Sequence, residues 1–251
     1  MPPLLLDILY IPAFLTFLIM RKVKEPERWA QAHRQELATG TVPRVPLTEL
    51  FRGDLLRPTL VGSTLAFVAV FGLWGSTNWT PILISTLPDL QGLGKEELAA
   101  RVSYAIMALN AGALFGYLSF GPLADRFGRR PVFALMCAGS LVMLPITFLT
   151  PRAYLHVLLL LPVLGFFNNG IFSGFPIYLP ELYPTRLRAT GAGFCFNAGR
   201  VFASGGPFLT GWLTATMGSV GHAVSVVGLI YVIGLVALPF APETRGRPLP
   251  E

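Results

Sequence analysis

The sequence predicts an all-α membrane protein, a polytopic membrane helix bundle with about seven spans. Hydrophobic residues make up 53% of the 251 positions and charged residues only 13%, whereas a soluble domain carries about 25% charged residues. The apolar residues also fall into stretches of roughly 20, the length that crosses a bilayer. This composition excludes a coiled coil, a disordered tail and a disulfide scaffold, and it argues against a soluble domain.

Seven apolar stretches are predicted as spans. In chain order they are Leu4–Met20, Leu60–Leu83, Val102–Leu123, Val132–Leu149, Leu155–Tyr178, Ala189–Ala215 and Ala223–Phe240. The first contains Asp7 and the sixth contains Arg200, whereas the others hold no Asp, Glu, Lys or Arg. A basic run at 21–24 follows the first stretch, which favours a true span over a signal peptide.

The basic residues are distributed unevenly between alternate loops. Fifteen of the 19 lie in segment 21–57, in the loops after the third and fifth spans, and in the C-terminal tail. Because basic loops face the cytoplasm, we predict a multi-pass protein of the cell (inner) membrane with a cytoplasmic C-terminus. The same distribution accounts for the basic pI, so no nucleic-acid partner is expected.

Segment 21–58 is predicted to be a cytoplasmic linker, because it holds four prolines and no apolar run of spanning length. It separates one helix at 1–20 from six closely spaced helices at 59–241, and residues 242–251 form a cytoplasmic tail. Transporters built from two six-helix halves can join the halves in this way. The pattern therefore predicts the last helix of a missing N-terminal half, a linker and one complete C-terminal half.

Glycine and proline mark two further features inside the spans. Gly112 and Gly116 form a GxxxG pattern, which is typical of close helix–helix contact. The sequence Gly205-Gly206-Pro207 predicts a break in the sixth span, where freed backbone groups can line a cavity.

The strongest motif joins the third and fourth spans. It runs Gly121-Pro122-Leu123-Ala124-Asp125-Arg126-Phe127-Gly128-Arg129-Arg130. Gly128 permits a tight reversal with positive φ, and Asp125 can pair with the arginines. An anchoring role alone would need only the arginines. The segment resembles the cytoplasmic loop signature G-x-x-x-D-R-x-G-R-R/K of major facilitator superfamily transporters.

Two later segments agree with that resemblance. Residues 180–191 are similar to the P-E-x-x-P-T-x-x-R-x-x-G element of the sugar-porter and metabolite:proton symporter branches, and residues 242–246 resemble the PET-K/R-G ending after the twelfth helix. The resemblance covers essentially the whole chain. It implies one six-helix half of a major facilitator fold plus one preceding helix.

The resemblance also implies a role for the charged motif residues. They fall at cytoplasmic helix ends and can form a network that locks this side in an outward-facing state; the alternative is a set of interfacial anchors. The predicted gating network comprises Gly121, Asp125, Arg126, Gly128, Arg129, Arg130, Glu181, Arg188, Glu243 and Arg245.

Polar residues at membrane depth are candidates for the solute site, because they need a cavity or a partner. They are Trp74, Asn78, Asn110, Asn168, Asn169, Asn197 and Arg200. Asn168 and Asn169 are adjacent, so only one can face a cavity.

Arg200 lies about 16 Å into the sixth span, near the middle of the hydrocarbon. Its planar fork suits a carboxylate, and residues 197–200 resemble the N-x-G-R stretch of the organic-acid branch of the superfamily. A structural ion pair, for example with Asp7, and a solvated arginine are the alternatives.

The predicted function is therefore secondary active transport of a small organic solute, an organic acid, by alternating access, and the resemblance implies that protons are moved in symport. A sugar porter half and a truncated non-transporting membrane protein are the alternatives. An enzyme would need clustered acid, base or nucleophilic groups at depth, which the sequence does not offer, and no cofactor or metal is expected. The expected partners are the solute, a proton, the lipid bilayer and the N-terminal half.

Overall fold

The computed structural model describes residues 47–250 together with Thr16. The first predicted span, Asp7 and most of the predicted linker lie outside the described residues. Within 47–250 the chain forms ten α-helices: α1 Leu56–Ser76, α2 Thr80–Ser85, α3 Lys95–Phe127, α4 Arg129–Leu149, α5 Tyr154–Gly170, α6 Gly174–Glu181, α7 Arg188–Ala203, α8 Gly206–Met217, α9 Val220–Gly228 and α10 Ile230–Ala237. Short 3-10 helices lie at Leu47–Phe51, Gly53–Leu55, Thr77–Trp79, Pro88–Leu90, Ile171–Ser173 and Leu238–Phe240.

Five of these helical stretches are long and apolar enough to cross a membrane. They are Gly53–Ser85, Lys95–Phe127, Arg129–Leu149, Tyr154–Glu181 and Val220–Phe240, and they coincide with five of the six spans predicted after the linker. α3 begins seven residues before the predicted span, because Glu96 and Glu97 in its first turn favour a helix N-terminus. The prediction of an all-helical, multi-pass membrane bundle is confirmed.

The sixth predicted span is divided into two helices. α7 has 16 residues and α8 has 12, and the chain turns at Ser204 and Gly205 between them. Pro207 lies in the first turn of α8. Backbone N–H groups in a first turn have no partner within the helix, so the missing N–H of proline costs no hydrogen bond there. The predicted break is therefore present, and it leaves neither part long enough to span alone.

α1 lies at the centre of the bundle, in contact with α7, α8, α9 and α10. In the most apolar part of Gly53–Ser85, 61% is buried within the protein, against 22% for Lys95–Phe127. α3 therefore leaves most of its surface free of contact with the described helices. It is held mainly by α5.

Glycines bring α3 and α5 into backbone contact. A Cβ at Gly112 would overlap the carbonyl oxygen of Pro162, and a Cβ at Gly165 would overlap that of Leu109. The predicted GxxxG contact is thus confirmed, and the glycines of both helices contribute to it.

The turns alternate between two ends of the bundle. The basic end carries the turn between α3 and α4, residues 182–187 and the C-terminal tail; the opposite end carries residues 86–94 and 150–153. The tail folds back on the basic end, since the Tyr178 hydroxyl donates to the Pro242 carbonyl at 2.8 Å.

Candidate solute pocket and charge network

The helical stretch Gly53–Ser85 is interrupted between α1 and α2. The Ser76 hydroxyl donates to the Gly72 carbonyl, and the Thr77 hydroxyl donates to the Leu73 carbonyl at 2.9 Å. Such bonds to the preceding turn tend to bend a helix. Pro81 in the first turn of α2 has no N–H to continue the α-helical pattern. A 3-10 turn at Thr77–Trp79 results.

A pocket of about 370 Å³ lies beside this interruption. Its volume falls within the range of small-molecule sites. Its polar and aromatic lining consists of Trp74, Thr77, Asn78, Thr80, Asn110 and Asn169, and its apolar lining of Leu73, Pro81, Ile106 and Leu109. α1, the 3-10 turn, α2, α3 and α5 all contribute. Four predicted solute-contacting residues therefore meet here: Trp74, Asn78, Asn110 and Asn169.

Two buried polar atoms of this pocket have no hydrogen-bond partner among the described residues. They are Oγ1 of Thr80, whose residue is 1% exposed, and Nδ2 of Asn169, whose residue is 8% exposed. A buried polar group without a partner costs free energy. A polar group brought within hydrogen-bond distance would satisfy each of them. The sequence analysis did not predict Thr80 as a solute-contacting residue. Its position directly before Pro81, inside a predicted span, could have indicated it.

Asn168 and Asn169 point to different surroundings, as their adjacency predicts. Asn168 is fully buried. Its Nδ2 donates to the Ser76 hydroxyl at 3.3 Å, and its Oδ1 accepts from the Tyr231 hydroxyl. Asn168 therefore bonds between helices and does not line the pocket, whereas Asn169 does.

Arg200 and Asn197 share an exposed face of α7 and do not line this pocket. Asn197 Nδ2 donates to the Gly193 carbonyl at 2.8 Å. Arg200 lies in the last turn of α7, where a cation is favoured by the helix dipole. Its guanidinium carbon is 5.8 Å from the Phe196 ring centre, and among residues 47–250 it has no carboxylate partner. The helix rotation is set by Gly199, whose backbone lies against α1.

Arg129 is the centre of the charge network at the basic end. Its Nε and Nη2 donate to the two carboxylate oxygens of Glu181 at 3.1 and 2.8 Å. Its Nη1 donates to Asp125 at 2.8 Å. The Arg129 and Glu181 side chains are only 11% and 17% exposed. This bidentate pair is therefore shielded from water, unlike an ordinary surface ion pair.

Glu243 of the tail joins the network through backbone donors. Its carboxylate accepts from the N–H groups of Arg129 and Arg130 at 2.9 and 3.1 Å, at the N-terminus of α4. It also accepts from those of Thr244 and Arg245, both at 3.1 Å. Burial raises the pKa of Glu243, but these four donors outweigh burial and leave the pKa below its ordinary value. The anion thus complements a helix N-terminus.

The other predicted members lie around this centre and form no ion pairs with residues 47–250. Arg130 donates to the carbonyls of Leu238 and Pro239, and Arg188 donates to those of Pro180 and Pro250. Arg126 is exposed, Arg245 contributes its backbone N–H, and Gly121 has space around it.

The sequence prediction missed two contacts at this end. Thr244 donates its hydroxyl to Glu181 at 2.5 Å, and Arg186 pairs with Glu49 at 2.6 Å.

A bundle of helices long and apolar enough to cross a membrane, with one helix interrupted beside a polar pocket, is typical of a class, the solute transporters of membranes. Comparison with known proteins agrees. Residues 16–251 match the family described as "Sugar (and other) transporter". The chain belongs to this family, and thus to the major facilitator superfamily named by the motif resemblance.

Similar proteins carry transporter names. The chain is 26% identical to the "Probable 4-methylmuconolactone transporter" of Cupriavidus pinatubonensis, with 94% of this chain and 52% of that protein covered. It is 29% identical to the "Cis,cis-muconate transport protein" of Acinetobacter baylyi, with 95% and 56% covered. The chain thus spans about half the length of these relatives.

A solved structure supports the fold. An auto-inhibited POT family peptide transporter superposes with a TM-score of 0.61 at 19% identity, and the match covers 78% of this chain and 39% of that one.

Proposed function

We propose that this chain is the C-terminal six-helix half of a secondary active transporter, and that the pocket beside the α1 interruption is its share of the solute site. The observation that carries the proposal is the pair of unpartnered polar atoms, Thr80 Oγ1 and Asn169 Nδ2, in that pocket. In such transporters the solute binds near the midplane, where discontinuous helices of two halves face each other. The little-buried surface of α3 is available for a second half.

The proposed solute is an organic acid, moved together with protons by alternating access. Hydroxyl and amide N–H groups such as those of Thr80 and Asn169 can donate to carboxylate oxygens, and Trp74 offers a flat apolar surface for an unsaturated carbon skeleton. Arg200 supplies a free positive charge on an exposed helix face. The named solutes of the two relatives agree with an acid. Proton coupling is carried over from the resemblance alone.

A sugar is the alternative solute, since amides and an aromatic ring also suit a hydroxyl-rich molecule. A chain that does not transport is the third possibility.

The test is uptake by the complete transporter, this half together with its N-terminal half. Radiolabelled cis,cis-muconate and glucose are the probes, and the changes are Thr80→Val and Asn169→Leu. Because each removes a donor to a charged oxygen, KM for muconate should rise about tenfold. Thr216→Val, which removes an exposed hydroxyl bonded only to its own helix, should leave KM unchanged.

If both pocket variants reach the membrane in normal amounts and keep the wild-type KM, the pocket is not part of the solute site. Saturable glucose uptake without muconate uptake would favour the sugar porter. A lack of saturable uptake of either probe would count against both solutes and for a non-transporting protein.

The charge network is proposed to act as a gate that stabilises the closed basic end, the cytoplasmic end by the distribution of arginines. Supporting this, a shielded pair joins α4 to α6, and the exposed Asp125 of α3 and Thr244 of the tail bond to the same two side chains. A network that is complete in only one state biases a two-state equilibrium. Asp125→Arg should therefore increase maleimide labelling of cysteines introduced at the basic end of the bundle, and equal labelling in variant and parent would contradict the gating role.

A further inference from the structure

A chain of three buried side chains lies directly behind the pocket and has no part in the function proposed so far. The Tyr231 hydroxyl of α10 donates to Asn168 of α5, and Asn168 donates at 3.3 Å to Ser76, the last residue of α1. All three residues are fully buried. We call them the Tyr231–Asn168–Ser76 chain.

Both ends of the Tyr231–Asn168–Ser76 chain contact Gly72. The Ser76 hydroxyl donates to the Gly72 carbonyl, and the Tyr231 ring and hydroxyl occupy the position that a Cβ of Gly72 would take. The last turn of α1 is therefore held from two sides, by a hydrogen bond at Ser76 and by ring packing at Gly72.

Two residues of the Tyr231–Asn168–Ser76 chain, Asn168 and Ser76, are adjacent in sequence to residues that line the pocket. Ser76 precedes the 3-10 turn that carries Thr77 and Asn78, and Asn168 precedes Asn169. Two parts of the pocket lining, the 3-10 turn and Asn169, are thus each one residue away from the same hydrogen bond. Loss of that bond would let the 3-10 turn and Asn169 move independently.

We propose that Tyr231, Asn168 and Ser76 are positioning residues, which fix the distance between the 3-10 turn of α1 and Asn169 and thereby the shape of the solute pocket. The solute part of this inference rests on the function proposed above. The geometric part does not, because it concerns two helices whether or not a solute binds between them.

The experiment uses the complete transporter with Asn78→Cys as a reporter, in a background without other reactive cysteines. The native Cys137 and Cys195 are buried. Tyr231→Phe removes only the hydroxyl and keeps the ring beside Gly72. Labelling by a water-soluble maleimide should become about threefold faster, the factor that an average interhelical hydrogen bond is worth in a membrane protein. In a separate measurement on the transporter with its native Asn78, Tyr231→Phe should raise KM for cis,cis-muconate by a similar factor at unchanged maximal rate per transporter.

Tyr183→Phe is the matched control. Its hydroxyl is equally buried and bonds to Thr59 and Cys195, both at 3.0 Å, away from the pocket. It should change neither the labelling rate nor KM. A general loosening of the fold would affect both tyrosine variants alike, and that result would overturn the inference.

Ser76→Ala provides a second route if Tyr231→Phe fails to reach the membrane. It should reproduce the effect of Tyr231→Phe, and the double variant should be no worse than either single variant, because both break one chain. Wild-type labelling in Ser76→Ala or Tyr231→Phe, or additive effects in the double variant, would overturn the inference. Faster labelling without muconate uptake in any variant would uphold the positioning and refute the proposed solute.

Discussion

The carboxylate of Glu243 lies directly over Gly128. A Cβ at Gly128 would be 2.9 Å from Oε2 of Glu243, and Gly128 also has φ of +103°. The glycine of the α3–α4 turn is therefore needed twice, for its backbone conformation and for the space that the tail carboxylate occupies. The sequence predicted the first requirement but not the second.

Gly128→Ala should destabilise the protein through both effects. The backbone strain alone is worth about 1–3 kcal/mol, and displacement of Glu243 adds to it. The melting temperature of the purified protein in detergent, followed by circular dichroism, should fall. Gly92→Ala is the matched control, because Gly92 also has positive φ (+89°) but nothing within 4 Å of its Cβ position. An equal fall in the melting temperatures of both variants would mean that displacement of the Glu243 carboxylate adds nothing to the backbone strain.

Glu243→Gln should lower stability at neutral pH, and the difference from wild type should disappear in acid. Folding lowers the pKa of Glu243 from its ordinary value of 4.5. The ionised carboxylate therefore stabilises the folded state above that pH, and its contribution is lost as the pH falls through the lower folded-state pKa. Melting temperatures of both proteins between pH 7 and pH 3 test this.

The control for that series is Glu97→Gln, which removes one partner of an exposed pair with Arg101 at 3.4 Å. Such pairs contribute little, so its melting temperature at pH 7 should stay close to wild type. A gap between wild type and Glu243→Gln that is constant down to pH 3 would contradict the role given to Glu243.

Gly112→Ala should separate α3 from α5. The added methyl group meets a backbone carbonyl, that of Pro162, which cannot turn away as a side chain can. Overpacking of this kind costs about 1–3 kcal/mol, and the yield of folded protein in detergent should fall. Gly193→Ala, at a mid-helix glycine with nothing within 4 Å, should not reduce the yield. Equal yields of both variants would show that the helices can shift at little cost.

Reporter fusions after Glu251 and near Pro88 should give opposite locations, with the C-terminal reporter in the cytoplasm. The physical reason is the concentration of arginines at the basic end of the bundle. Paired phosphatase and fluorescent-protein fusions measure this directly. A C-terminal fusion that is active outside the cytoplasm would reverse the proposed orientation.

Arg200 lies on an exposed face of α7 outside the pocket, so it can act on the solute only through a carboxylate that extends beyond the pocket. On that proposal Arg200→Gln should raise KM for cis,cis-muconate about tenfold in the complete transporter, and Arg200→Lys should have a smaller effect, because lysine keeps the charge but not the bidentate fork. Competition by neutral analogues should be unchanged. Arg152→Gln, in an exposed loop at the opposite end, serves as the control. If Arg200→Gln reaches the membrane and keeps its wild-type KM, Arg200 is not the anion site.

The spans, the break at Gly205 and the GxxxG contact were predictable because each depends on local composition. The pocket was predictable only in part. Trp74 and Asn78 share a helix face by their spacing, but the meeting of Asn110 with Asn169 depends on how α3 and α5 are rotated, which the Gly112 and Gly165 contacts decide.

Arg200 illustrates the same limit. Hydropathy placed it at depth, yet its separation from the pocket follows from the packing of Gly199 on α1 and from the end of α7 at Ala203. A single sequence does not specify such rotations.

The partnership between Arg129 and Glu243 also sets an order of events during synthesis. The two residues are 114 positions apart, and a ribosome adding about 5–20 residues per second needs about 6–23 s to cover that distance. Throughout this interval the backbone N–H groups of Arg129 and Arg130 lack the Glu243 carboxylate that they bind in the folded protein. We therefore expect the nascent bundle to be most vulnerable to membrane proteases at the α3–α4 turn until translation passes residue 243.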